Sequence, residues 1–389
     1  MFPPKPPQGA DPRMYFFLFL LTLGTTLGYQ GWTLLYTNFA VESAHLSAAD
    51  NGLVQSLREV PGLLGFLIIP LLLVMKEHRV AAVAALATGL GTALTGFFPS
   101  FVPVILTTLL MSFGFHFFEA VNQSLLLQYF DVRTTPVVMG KLRGLAAGGS
   151  LAASVFVFFC SDFLPYTMMF LIVGVLCMFT GVWGLFLDPT NKELPIQSKK
   201  MVFRRKYWLF YLLTLFLGAR RQIFIVFALL VEHFRFSVNT VSVLFMINYA
   251  INWFLNPLIG RTINRIGERK LLSIEYSTAI LVFTGYATTG SAWVAGVLYV
   301  IDYIVFNFSI ALRTFFQKIA EPQDIAPTMA VAQTINHVAA IFVPALGGWL
   351  WVEFGYQIPF FIGAALSGCS LLLVQIIDRE IRLHAPAKA

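Results

Sequence analysis

The residues of this chain that could do chemistry are the few ionisable ones lying inside long apolar runs. Arg220 and Arg221 sit midway along the run 207–231. A guanidinium offers a planar fork of N–H donors suited to a bidentate grip on carboxylate or phosphate. Neighbouring helix positions point about 100° apart, so one arginine is expected to hold a substrate's negative charge or a counter-charge while the other pairs with a neighbouring helix. Ser112, His116, Glu119 and Gln123 are spaced four, three and four, which puts them on one helix face. His116 with Glu119 reads as a proton site, since burial raises a carboxyl pKa and histidine titrates near neutrality; the competing reading is a structural hydrogen-bonded pair. Gln55, Arg58 and Glu59 share the run 51–74, and Asp302, Ser309 and Arg313 share 292–318. Arg313, near a helix end, is expected to snorkel. Asn248, Asn252 and Asn256 recur every fourth residue, either lining a cavity or gluing helices together. Glu275 reads as structural.

The elements that position these groups follow from composition. Of 389 residues 58% are hydrophobic and 12% charged, with mean hydropathy +0.76; a soluble domain carries roughly 25% charged residues. So little polar surface cannot coat a water-soluble globule. Apolar runs, each near the roughly 20 residues needed to cross a bilayer, fall near 15–39, 51–74, 80–98, 102–129, 136–160 and 165–186, then near 207–231, 239–260, 271–289, 292–318, 327–350 and 356–377. The runs are continuous rather than alternating, which argues for helices over a β-barrel. The expected fold is therefore all-α and integral to the membrane, with twelve transmembrane helices. The expected layout is a tail at 1–14, a six-helix bundle at 15–186, a linker at 187–206, a second bundle at 207–377 and a tail at 378–389.

Charge placement orients the chain. With the N-terminus cytoplasmic, only Arg235 of 26 Lys and Arg lies outside, and Arg58, Arg220, Arg221 and Arg313 lie within spans, which leaves 21 on the cytoplasmic side. The positive-inside rule then puts both termini in the cytoplasm and explains the net charge of +7 without a nucleic-acid partner. The Pro-rich stretch Met1 to Arg13 lacks the order of a cleaved signal. Three cysteines, Cys160, Cys177 and Cys369, all in apolar runs, make neither a disulfide framework nor a metal site. The chain contains no His-Glu-x-x-His, Walker lysine loop or Gly-x-Ser-x-Gly elbow, so no enzyme activity, metal or cofactor is expected.

The halves are related. A shift of 190 residues sets Leu27-Gly28 on Leu217-Gly218, Val41-Glu42 on Val231-Glu232, Ser47 on Ser237 and Arg79 on Arg269. The same shift carries the Ser112–Glu119–Gln123 stripe onto Asp302, Ser309 and Arg313. A parallel repeat about an axis normal to the membrane is one way to build a transporter.

After the eighth run the chain reads Gly260-Arg261-Thr262-Ile263-Asn264-Arg265-Ile266-Gly267-Glu268-Arg269-Lys270. This resembles the G-x-x-x-(D/N)-R-x-G-R-(R/K) loop of the major facilitator superfamily (MFS), with Glu268 where arginine is usual. The resemblance implies a gating role for Gly260, Asn264, Arg265, Gly267 and Arg269. It also implies that the first, fourth, seventh and tenth helices line a central cavity. On that basis Tyr29, Gln30, Trp32, Arg58, Asn248, Asn252 and His337 join Arg220 and Arg221 as candidate substrate-binding residues, and Glu119, Asp302, His116 and Glu59 are the candidates for proton coupling. The glycine run of drug–proton antiporters is present at Gly140, Gly144, Gly148 and Gly149, but Leu145 stands where its proline belongs.

The expected function is secondary active transport, proton-coupled and by alternating access, of a small or medium organic anion; the alternative is a proton-coupled exporter of multiple drugs or other amphipathic compounds. Four intramembrane arginines against Glu59, Glu119 and Asp302 favour the anion. The expected setting is a plasma membrane, such as a bacterial inner membrane, in which the chain works as a monomer.

Overall fold

In the computed structural model residues 5–220, 226 and 229–384 are described, and every regular element among them is helical. Helix α1 (Pro12–Glu42) starts where the Asp11 carboxylate accepts the Arg13 amide at 2.8 Å and where proline, lacking an N–H, costs no hydrogen bond. Then come α2 (Ala48–Leu63), a 3-10 turn (Leu64–Leu67) and α3 (Ile68–Val74), which together fill the second expected span. Helices α4 (Glu77–Thr95), α5 (Phe101–Tyr129), α6 (Thr134–Cys160) and α7 (Tyr166–Phe186) follow.

Beyond the linker, a 3-10 turn (Arg205–Tyr207) leads into α8 (Trp208–Arg220), and a π turn (Leu229–His233) precedes α9 (Val238–Ile266) and α10 (Glu268–Thr288). The tenth expected span is broken: α11 (Ala292–Phe306) and α12 (Ile310–Ile319) flank a 3-10 turn (Asn307–Ser309). Helices α13 (Ile325–Phe354), α14 (Gln357–Val374) and α15 (Ile377–His384) complete the chain, so a helix occupies part of the expected C-terminal tail. Among the described residues eight helical stretches are long and apolar enough to cross a membrane. The other four expected spans correspond to α1, α4 and α10, and to α8, whose run continues into residues outside the described set.

By its contacts the chain forms two compact units. The first comprises Met1–Thr134, Leu142–Val202 and Pro322–Thr334; the second comprises Thr135–Lys141, Phe203–Glu321 and Ile335–Ala389. The core of the first gathers Trp32, Tyr36, Phe39, Met111 and Phe170. Its helices α4 and α5 approach backbone to backbone: a side chain on Gly91 would meet the Met111 amide at 2.3 Å, and one on Gly114 would meet the Thr88 amide at 2.3 Å. The linker is tied to this unit by Gln197, whose amide donates to the Pro322 carbonyl at 2.8 Å and accepts from the Ala326 amide at 2.9 Å. The core of the second unit gathers Leu229, Phe283, Tyr286 and Phe360.

The 190-residue shift is visible in backbone geometry. His45 and Arg235, at equivalent positions, both adopt left-handed φ angles, 51° and 57°. The amides of Ala44 and Phe234 reach back to the carbonyls of Phe39 and Leu229, again equivalent pairs. Ser47 and Ser237 then cap α2 and α9, each accepting the amide three residues on at 3.1 Å.

Candidate functional site

In the first unit a polar cluster joins α1, α2, α5 and the start of α13. Arg58 donates from Nη2 to Glu59 Oε1 at 2.8 Å and from Nε to the same oxygen at 3.2 Å. Its guanidinium lies 5.9 Å from the centre of the Trp32 ring. Ser112 ties α5 to α2 by donating to the Arg58 carbonyl. One turn on, Phe115 stacks on Tyr29 with ring centres 3.7 Å apart. Trp32 is fully buried and donates its indole N–H to Thr95, so it meets the cluster through Arg58 rather than as an open wall. Gln30 is half-buried on α1.

His116 and Glu119 face each other as their i, i+3 spacing requires, with Nδ1 and Oε2 4.0 Å apart. The Gln333 amide nitrogen lies 3.2 Å from Glu119 Oε2 and 3.3 Å from His116 Nδ1. His116 is buried, while the Glu119 side chain keeps 28% of its surface exposed.

In the second unit Arg220 is buried at the end of α8 and donates from Nη2 to Glu275 of α10. Its guanidinium lies 5.3 Å from the Tyr276 ring centre and 5.6 Å from that of Phe306. Asp302, one turn before Phe306, is within electrostatic range. The Nε and Nη1 donors of Arg220 are buried and have no hydrogen-bond partner among the described residues. Arg221 lies outside the described residues.

Asn248 and Asn252 are buried on α9, where Asn252 donates to the Asn248 carbonyl at 2.7 Å. Asn307, in the break between α11 and α12, donates to Asn252 Oδ1 at 2.7 Å and thereby ties the two helices together. His337 is buried on α13. Arg313 does not snorkel: it is 7% exposed and stacks over Phe210 at 5.5 Å, because an aromatic face inside the unit meets its guanidinium.

The loop between α9 and α10 turns at Gly267, whose φ of +80° favours glycine. Arg269 pairs with Asp378 of α15 at 2.9 Å, and Glu268 is buried against Lys318 of α12 at 2.6 Å. Asn264 and Arg265 are exposed on the last turn of α9. A side chain on Gly260 would meet the Pro136 carbonyl oxygen at 2.1 Å, so only glycine permits this approach of α9 to the start of α6.

The model of the Major Facilitator Superfamily matches residues 18–337. The chain belongs to that superfamily. It is thus a multi-pass membrane protein of the secondary-transporter class and not an enzyme. Its fold is similar to that of the human organic anion transporter MFSD10 (TETRAN), with a TM-score of 0.79 and 15% identity over 95% of this chain and 100% of that one. It is also similar to the MFS transporter FucP in the outward conformation, with a TM-score of 0.71 and 13% identity over 94% and 99% of the two chains. At such identities the likeness is one of fold. No curated protein sequence matches the chain. Within the superfamily's loop pattern, the unusual Glu268 now has a physical reason in Lys318.

Gln333 is not singled out by the sequence, although His337, four residues on, is a candidate there. Glu275, which the sequence offers as structural, is the ion-pair partner of Arg220. Counting Glu275, the four arginines within the spans are equalled in number by four acids, and the basic excess expected from the sequence is gone.

Proposed function

We propose that this MFS protein is a proton-coupled secondary transporter that moves a small or medium organic anion through a central cavity by alternating access. The observation that carries this reading is the half-used fork of Arg220: Glu275 takes one N–H, while Nε and Nη1 are buried without a hydrogen-bond partner among the described residues. Buried donors left unpaired are costly, so an incoming carboxylate or phosphate that fills them gains more than it would at a solvated arginine. Arg58, with Tyr29 and Trp32, offers a second guanidinium beside aromatic surface. Arg221, Gln30, Asn248, Asn252 and His337 are assigned to the same substrate path.

Coupling is assigned to Glu59, Glu119, His116 and Asp302. A carboxylate that loses its cation to a substrate inside a low-dielectric interior binds a proton, and Asp302 lies within electrostatic range of Arg220. The loop residues Gly260, Asn264, Arg265, Gly267 and Arg269 are assigned to gating. Their support is the close approach at Gly260 and the Arg269–Asp378 pair, which hold the loop to neighbouring helices within the second unit. The proposed setting is a bacterial inner membrane with both termini cytoplasmic, and the working unit is a monomer.

A second reading, the proton-coupled exporter of amphipathic compounds, draws on the balance of four acids and four arginines, which does not exclude a cation. Proteoliposomes given anions and amphipathic drugs, with and without an imposed pH gradient, separate the two. The anion reading expects accumulation of carboxylates only with the gradient. Gradient-driven movement of cationic drugs alone would replace it with the exporter.

A further inference from the structure

The second unit carries a groove of about 600 Å³ where the linker enters α8. One wall is the face of α8 bearing Trp208, Tyr211, Leu212 and Leu215; the other is Ile335 and Val338 of α13. The spacings of three, four and seven put the α8 residues on one face. The two helices are held together further along, where a side chain on Gly218 would meet the Asn336 carbonyl oxygen at 2.3 Å. Phe203 closes one end by stacking on Tyr211, with ring centres 4.7 Å apart.

The mouth has the opposite chemistry. Arg204 and Arg205 line it, and Lys206 follows. Glu321 is shared by Arg204, at 3.4 Å, and Lys206, at 2.6 Å. Among the described residues Arg204, Arg205 and Lys206 gather around the one carboxylate of Glu321 at the start of a helix, where the backbone dipole also favours an anion. Trp208 sits between the charged mouth and the apolar wall, and is 39% exposed, the position amphipathic rings take at a membrane surface.

We propose that this groove binds an anionic phospholipid, with its phosphate at Arg204 and Arg205 and part of one acyl chain along Trp208, Leu212 and Leu215. The occupant follows from both ends of the groove. A soluble phosphate leaves the apolar wall unused, and a zwitterionic lipid brings no net charge to the basic mouth. From Trp208 to Leu215 the wall runs seven residues, about 10 Å of helix, which matches a stretch of acyl chain rather than a compact metabolite. Basic pockets beside membrane helices bind acidic headgroups on the same grounds.

The test uses the full-length protein, delipidated in detergent and titrated with phosphatidylglycerol or phosphatidylcholine under native mass spectrometry. The expected result is selective retention of phosphatidylglycerol. Binding should be weakened roughly tenfold or more by the exposed double change Arg204→Gln with Arg205→Gln, and also weakened by Leu215→Trp, which fills the groove and keeps the charges. Glycerol phosphate in excess should compete poorly. Equal retention of both lipids, phosphatidylglycerol binding unchanged in the Arg double variant, or full competition by glycerol phosphate would each overturn the proposal. Should Leu215→Trp fail to fold, the Arg double variant and the competition arm decide alone.

Discussion

Glu275 holds Arg220 by one edge only. The pair joins α8 to α10 inside the second unit, beneath the rings of Tyr276 and Phe306, and leaves two guanidinium donors unspent. A buried ion pair contributes little net stability over an apolar pair of the same shape, yet removing one partner strands a charge. Glu275→Gln should therefore lower stability by about 3–5 kcal/mol, while Glu275→Gln combined with Arg220→Gln should recover much of the loss. Thermal unfolding of the three proteins in one detergent measures this, and a double variant as unstable as the single would count against a coupled pair.

The His116–Glu119–Gln333 cluster makes a separable prediction. Glu119→Gln is expected to reduce gradient-driven accumulation by at least about tenfold, the scale of losing a positioned proton carrier, while leaving substrate binding near that of the parent. Gln333→Leu removes the amide that holds both groups and should shift the pH dependence of transport. Uptake against pH, beside equilibrium binding, checks both; full pH-driven accumulation in Glu119→Gln would remove this carboxyl from the coupling path.

At the loop between α9 and α10, Glu268→Arg restores the residue usual in the superfamily and is nonetheless expected to be harmful here. It would place a second cation against Lys318 and abolish their 2.6 Å pair. The expected cost is about 1–3 kcal/mol, less than for a fully buried pair because Lys318 is partly exposed. Glu268→Arg with Lys318→Glu should restore stability, read as the melting temperature.

Acid sensitivity has a defined sign at Asp131, in the turn between α5 and α6. Burial tends to raise its pKa, but hydrogen bonds from the Thr134 and Arg133 amides and the Thr134 hydroxyl prevail and hold it below the ordinary carboxylate value. A depressed carboxyl stabilises the fold above its unfolded pKa, near 4, and that contribution is lost as pH falls through the lower folded value. Asp131→Asn should flatten this part of the acid limb in a stability profile taken from pH 7 downward.

Much of the first unit's cluster was legible because helical spacing alone aligns Ser112, His116 and Glu119. Gln333 was not, since its partners lie more than 200 residues away in sequence and periodicity says nothing of which helix a face will meet. The same limit hid the pairing of Glu275 with Arg220 and the burial of Arg313 on Phe210. The break at Asn307–Ser309 was also invisible: its residues carry no proline or glycine, and the Asn307–Asn252 bond found there comes from another helix. The repeat, by contrast, could be read from a handful of identities, because Ser47 and Ser237 perform the same capping task.

Orientation is checked by Ser47→Cys and Ser237→Cys in a Cys-free background. Both caps are exposed, and each change should cost about 1 kcal/mol. Both cysteines should label from the outside of intact cells; labelling of either only after the inner face is opened would contradict the proposed orientation.

The central claim, that Arg220 holds the substrate's negative charge through its unspent N–H groups, is tested most directly by equilibrium binding of an organic carboxylate to the purified parent, Arg220→Lys and the Arg220→Gln, Glu275→Gln double variant. Lysine keeps the charge and can still meet Glu275 but has no fork. The account predicts that Arg220→Lys folds and loses at least about tenfold in affinity, the scale of one charge-assisted hydrogen bond, and that the double variant folds and binds no anion measurably. If both bind the carboxylate like the parent, the anion is held elsewhere and the account fails.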